Sequence, residues 1–231
     1  MNFSRRSYEK ELLDDDSIPF ADIRQNMKEL NIINSFLGGH AISIGAFDKL
    51  AGREKNISVC EIGCGGGDNL IAIDKWCKKK DIELSVTGID IKSECIEFAK
   101  SRKHPFSSVT WVKKDYEKVT FEVKPDIIFS SLFCHHFTDN QLIKQLQWME
   151  RNSKTGFFIN DLQRNAIAYY AIKFLTSLFS TSYLVKNDAP LSVKRGFTKS
   201  EWLKIAEKAG IRKFNIHWKW AFRFVIVCKH A

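Results

Sequence analysis

The ten residues Val59-Cys60-Glu61-Ile62-Gly63-Cys64-Gly65-Gly66-Gly67-Asp68 constrain this chain more than any other stretch. Apolar Ile57, Val59 and Ile62 run into a glycine cluster, and Leu70, Ile71, Ile73 and Trp76 follow at helical spacing. The segment therefore reads as strand, tight loop, helix. Glycines at 63, 65 and 67 permit a sharp bend and let a ligand approach the main chain, and the helix start leaves N–H groups free to meet it. A dinucleotide loop would read G-x-G-x-x-G, but counting from Gly63 the last position falls on Asp68. The spacing is Glu61-x-Gly63-x-Gly65-x-Gly67, with an acid two places before the first glycine. A glycine turn that holds a nucleotide phosphate, or nothing, is the competing reading of the loop by itself.

Two more strand ends carry acids. Leu84–Asp90 is an apolar strand ending in Asp90, 27 residues after Gly63. In a nucleotide-binding α/β unit an acid there pairs with ribose hydroxyls; it also serves as a cap for a helix over 91–102. Val109–Val112 makes a third strand, followed by Lys113, Lys114, Asp115 and Tyr116. The loop spacing and the three acids together resemble the class I S-adenosylmethionine (SAM)-dependent methyltransferases, over about residues 57–161. SAM carries an ammonium and a sulfonium but no pyrophosphate, so a carboxylate at the first strand end suits it. The resemblance implies SAM as cofactor and S-adenosylhomocysteine (SAH) as product. It implies a cofactor site of Glu61, Gly63, Cys64, Gly65 and Gly67 around the methionine part and Asp90 and Ile91 at the ribose. Asp115 would meet the adenine amino group with Tyr116 against the ring, and Ser131 and Leu132 would close the site from the fourth strand.

That fourth strand, Pro125–Ser131, lacks polar alternation, as a parallel strand covered on both faces does. It opens into Leu132-Phe133-Cys134-His135-His136-Phe137, and a fifth strand over 155–161 ends on Asp161. Two β-rich runs, 213–219 and 223–229, form a closing hairpin. The expected fold is α/β: a Rossmann-like doubly wound sheet, mostly parallel with that antiparallel hairpin, in a single domain over 1–231. Residues 1–40 form an N-terminal helical cap: a charged arm containing Asp14-Asp15-Asp16, then an amphipathic helix from Pro19 through Phe20, Ile23, Met27, Leu30 and Ile33, ended by Gly38-Gly39. Arg24 and His40 are candidates to face the pocket, against the plainer reading of an exposed arginine and a loop histidine. Residues 163–196 form a lid insertion. Its segment 166–179 is apolar nearly all round and shorter than the roughly 20 residues a bilayer span needs. It is expected to be buried or to line a cavity, with Tyr169 and Tyr170 toward the substrate; plain core packing and an interfacial membrane helix are the alternatives. A polar loop follows over 186–196, then a helix opened by the Thr198–Glu201 capping box and closed by Gly210.

The histidine pair sits where function gathers in such sheets. A phenol must lose its proton to accept a methyl group, and histidine titrates near neutrality. His135 and His136 are the catalytic candidates, with Asp161 to orient one of them; the same Leu-x-x-His-His-Phe tail recurs across methyltransferases with unrelated acceptors, so one of the two is structural. Arg195, beside Lys194, is a candidate to bind an anionic or phenolate acceptor. The small-molecule branch of the resembling family implies a small apolar or aromatic acceptor, a secondary metabolite of phenolic, polyketide or quinone type, methylated at a phenolic oxygen. An RNA methyltransferase and a SAM-binding module without catalysis are the other classes.

The 231 residues suffice for one α/β domain. Six cysteines show no paired spacing and read as free thiols in a reducing cytosol, with no metal-ligand set. The first eleven residues lack the apolar core of a signal peptide, so the expected compartment is cytoplasmic. The net charge of +9 comes from scattered lysines, a solvated basic surface rather than a nucleic-acid footprint. A nucleic-acid partner and a transmembrane segment are not expected, and the chain is read as a monomer or homodimer.

Overall fold

Strands that are apolar along their whole length need cover on both faces, and the chain supplies it by alternating strands with helices. The computed structural model describes residues 3–15, 17–103 and 106–230, so Asp16 of the acidic run lies outside the described residues. After the arm come α1 (Phe20–Phe36) and α2 (Gly39–Ala51), then β1 (Asn56–Ile62), α3 (Asp68–Lys78), β2 (Glu83–Asp90), α4 (Ser93–Ser101) and β3 (Ser108–Lys113). The second half runs β4 (Ile127–Ser131), α5 (Asp139–Asn152), β5 (Gly156–Leu162), α6 (Ala166–Phe179), α7 (Tyr183–Arg195), α8 (Lys199–Lys208), β6 (Phe214–Lys219) and β7 (Arg223–Lys229).

The strands form one sheet in the order β3-β2-β1-β4-β5-β7-β6, parallel from β3 to β5 with an antiparallel β7–β6 hairpin. The doubly wound expectation holds. One apolar layer joins Ile62, Ile128, Phe157 and Ile226 to Leu142 and Leu146 of α5 and Trp202 and Ile205 of α8. The opposite layer joins Val59, Phe129, Phe158 and Val225 to Phe47 and Leu50 of α2 and Leu70 and Ile73 of α3. Phe129 and Phe158 stack across neighbouring strands with centroids 4.7 Å apart, a geometry worth about 1 kcal/mol beyond area burial. The order of connection reverses between β1 and β4, and that switch point opens the crevice.

Three elements depart from the sequence expectation. Gly38 and Gly39 end α1 as expected, but a second helix, α2, starts at once at Gly39 and carries His40, packed on the sheet through Ala46, Phe47 and Leu50. The expected polar loop over 186–196 is the body of α7. Ser182 caps it, Leu184, Val185 and Val193 are buried, and Pro190 is tolerated inside the helix. Asp188 of α7 also accepts the backbone N–H groups of Leu12 and Leu13 at 2.8 and 3.0 Å, so tertiary anchoring outweighs the helix-breaking proline. The third is α6, which lines a cavity with Ala171, Ile172 and Leu175, one of the expected placements, yet leaves Ile167, Tyr170, Phe174, Leu178 and Phe179 exposed. No single helix among the described residues is long and apolar enough to cross a membrane.

Candidate functional site

A cavity of about 630 Å³ opens over the C-terminal tips of β1, β4 and β5, within the size range of small-ligand pockets. Gly63, Gly65, Asp90 and Ile91 line it at one end, and Leu132, His135 and His136 line it beyond β4. Met27, Leu30, Ile33 and Leu37 of α1 and Ala171, Ile172 and Leu175 of α6 make apolar walls.

The glycine loop is built as its spacing requires. Gly65 has φ +50°, and a Cβ there would meet nothing within 4 Å, so the bend exposes main chain to open cavity. Gly63 differs: the Phe133 ring packs on it, 2.2 Å from where a Cβ would sit. Asp90 is anchored to the loop, accepting the N–H of Gly65 and of Lys92, both at 2.9 Å; burial pushes its carboxyl up. Glu61 is buried behind the loop. One of its oxygens accepts from Asn69 Nδ2 at 3.0 Å and the other has no partner, and burial raises its carboxyl well above the ordinary value. An orphaned carboxylate oxygen and a side-chain-free bend over open space fit a ligand that brings an ammonium and an adenosyl group. SAM fits these residues.

Cys64, Gly67, Asp115, Tyr116 and Ser131 do not line the cavity. Cys64 is buried in the core layer beside α2 and α3, Gly67 faces the Trp111 ring of β3, and Ser131 is buried with its hydroxyl unpartnered. Asp115 caps a short turn by accepting from Glu117 N at 3.1 Å. Tyr116 stands edge-on to Trp148 with centroids 5.3 Å apart, inside the core layer of α5. Leu132 does line the cavity, and with φ +53° its backbone is strained, as happens where surrounding structure holds a functional turn in place.

Beyond β4 the polar groups converge. His135 is 3% exposed and its Nδ1 lies 2.8 Å from Asp161 Oδ1. Asp161 Oδ2 accepts the N–H groups of Phe133, Cys134 and His135, and Oδ1 that of Leu162. Burial pushes the Asp161 carboxyl up, but the His135 imidazole and these backbone donors outweigh it and hold the group below its ordinary value. An ionised Asp161 accepts from His135 Nδ1 and holds the ring in place. Glu11 of the arm reaches both imidazoles: its oxygens lie 3.7 Å from His135 Nε2 and 3.7 Å from His136 Nε2. Asp14 lies 3.6 Å from His136 Nδ1. Burial lowers the His136 pKa, and the Asp14 and Glu11 carboxylates more than offset it, raising the group above 6.5. The ligand atoms of Glu11, His135 and His136 all fall within 4.8 Å of one another, the spacing of a three-ligand cation site.

The three expected substrate residues stand off the cavity. Tyr169 packs edge-on to Phe3, 5.5 Å between centroids, and Tyr170 is 57% exposed, so the lid turns its aliphatic face inward. Arg195 is spent on carbonyl oxygens, those of Glu9, His135 and His136 at 2.8, 3.1 and 3.0 Å, and positions the histidine turn and the arm. Arg24 is exposed. His40 bonds Asn31 and Asn69, 2.9 Å each, in a polar network behind the loop. Polar cavity residues missing from the sequence reading include Glu11, Asp14, Asn26, Asn34 and Arg223. The arm's acids had one available signal, an acidic stretch in an otherwise basic chain; the other three carried none.

Residues 59–156 match the family model described as a methyltransferase domain. No curated protein matches the sequence. Among solved structures, human N-acetylserotonin methyltransferase in complex with SAM is 18% identical with a TM-score of 0.65, over 92% of this chain and 57% of that one. The plantazolicin methyltransferase BpumL in complex with SAH is 16% identical with a TM-score of 0.62, over 90% and 99%. A SAM-dependent methyltransferase from Aquifex aeolicus is 18% identical with a TM-score of 0.62, over 93% and 100%. The chain thus spans less than two thirds of the human enzyme's length.

Proposed function

We propose that this chain, whose residues 59–156 match a methyltransferase-domain model, is a class I SAM-dependent methyltransferase that transfers the methyl group of SAM to a small apolar or aromatic metabolite at a phenolic oxygen. One observation carries the reading: His136 opens onto the same largely apolar cavity as Gly65 and Asp90. Bound SAM supplies an electrophilic methyl group. Glu61, Gly65 and Asp90 hold the cofactor; the apolar walls of α1 and α6 hold the acceptor and exclude water. Positioning of this kind is worth about 7–11 kcal/mol. His136 takes the phenolic proton. His135, locked by Asp161, is a positioning residue that sets the turn on which His136 sits. Similar structures that act on small molecules, among them the N-acetylserotonin and plantazolicin methyltransferases, support a small-molecule acceptor. Six free, buried cysteines support a cytoplasmic enzyme, working as monomer or homodimer.

The test is incubation with SAM carrying a trideuteromethyl group and a panel of a phenol, the matching aniline, the matching thiophenol and tRNA, read by mass spectrometry. Label appears as a methyl ether of the phenol, and His136→Gln lowers kcat about a hundredfold or more while SAH affinity stays within threefold. Label confined to tRNA would sink the reading.

A further inference from the structure

Arg223 opens β7 opposite Leu162, the last residue of β5. It lines the cavity and is 3% exposed. Its Nη2 donates to Asn34 Oδ1 at 2.9 Å, while Nε and Nη1 are buried without any partner. Four of the five guanidinium N–H groups are therefore left without an acceptor. In the other buried arginines every guanidinium nitrogen has a partner. Arg164 is bidentate to Glu201 at 2.7 and 3.0 Å, Arg6 bonds Asp139 and two carbonyls, and Arg195 bonds three carbonyls. The exception is the one on the cavity wall. Burial, opposed by the charge of Asp161, draws the Arg223 pKa down to about 10, so the group stays cationic at neutral pH. Asp161 acts on it only at a distance, and a buried guanidinium with no carboxylate in contact is costly unless something brings one.

We propose that Arg223 anchors an anionic oxygen group of the methyl acceptor, which makes the acceptor class an apolar or aromatic weak acid, a carboxylate or an acidic phenol. The inference rests on the methyltransferase reading and names the substrate class of that site. Arg and carboxylate match as a fork, and the apolar walls suit the rest of such a molecule. The cofactor's own carboxylate is the rival anion. Sheet order favours the acceptor: β7 lies three strands from β1, about 14 Å from the glycine loop at the usual strand spacing.

The test uses matched probes, 3-phenylpropanoate against 3-phenylpropanamide and octanoate against octanamide, titrated calorimetrically into the SAH-saturated protein at pH 7.5. In the wild type each acid binds at least tenfold tighter than its amide. In Arg223→Gln the preference falls below twofold, Arg223→Lys keeps part of it, and SAH binds all three proteins within threefold, which also shows that the variants fold. Acids binding no tighter than amides in the wild type would overturn the proposal. So would Arg223→Gln weakening SAH tenfold or more, which would assign the guanidinium to the cofactor. Failure of the wild type to take up SAH at all is a different result and removes the methyltransferase reading itself.

Discussion

At the scale of single residues, the glycine loop and the histidine turn carry different kinds of constraint. Gly65 is needed for its backbone: at φ +50° with open space beyond, a β-branched residue is strained and projects into the cavity. Gly65→Val is expected to weaken SAH at least a hundredfold, about 2.7 kcal/mol; wild-type affinity by calorimetry would contradict the assignment of the loop. The His136 constraint is electrostatic. Its pKa is raised above 6.5 by Asp14 and Glu11 against the opposing effect of burial, so the base becomes competent only as pH climbs past 6.5. The acid limb of kcat/KM therefore lies above 6.5, and Asp14→Asn moves it down. The same pair sets a stability window. A raised His136 pKa stabilises the fold fully below 6.5 and ceases to as pH rises through the folded value. The Asp14 pKa is lowered to about 2, where its hydrogen bond to His136 overcomes burial, so its contribution is present above 3.8 and lost as pH falls toward 2. Asp14→Asn should lower the melting temperature most between about pH 4 and 6.5, and a shift independent of pH would separate Asp14 from His136.

At the scale of elements, legibility followed locality. β1, β2, β4 and β5 are apolar runs that end in an acid or a turn, and the strand–loop–helix at Gly63–Asp68 declares itself within ten residues. By contrast, α7 holds a proline and many polar residues, and its helix depends on partners 176 residues away in sequence, where Asp188 meets the backbone of Leu12. The facing of α6 was illegible for the same reason: its apolar residues surround the helix, so periodicity could not select the inner face. The sequence shows the arm only as a charged stretch, yet Arg6 is buried and binds the carbonyls of Arg195 and Phe137 at 3.1 and 2.8 Å, with a half-exposed Asp139 adding little. Arg6→Ala leaves those carbonyls unpaired in a dry site and is expected to cost about 3 kcal/mol in urea unfolding. Because Gly65 and Asp90 lie at the other end of the cavity, kcat should drop while SAH affinity stays within threefold. A loss under about 1 kcal/mol would show that the arm is an ornament rather than a wall of the site.

At the scale of the whole molecule, the cavity gathers segments from nearly the full length of the chain: the arm through Glu11, α1 through Met27, the β1 loop, the β4 tip, α6, α7 through Val193 and the start of β7 at Arg223. A sheet tip can be read from one sequence because each strand announces its own end, whereas a wall assembled from residues 11, 34 and 223 is decided by which elements pack together. That assembly has a measurable consequence. A ligand that binds only when these segments are together stabilises the native state by its binding free energy, about 2.7 kcal/mol at a hundred times its Kd. For a chain of 231 residues each kcal/mol raises the melting temperature by about 2–4 °C, so saturating SAH should raise it by about 5–11 °C. The unfolding should remain a single transition, since the arm, the lid and the sheet all bound the space the ligand fills. Two transitions, with only one moved by SAH, would mean that the α6–α7 lid unfolds separately from the cofactor half and that the two ends of the cavity are not energetically joined.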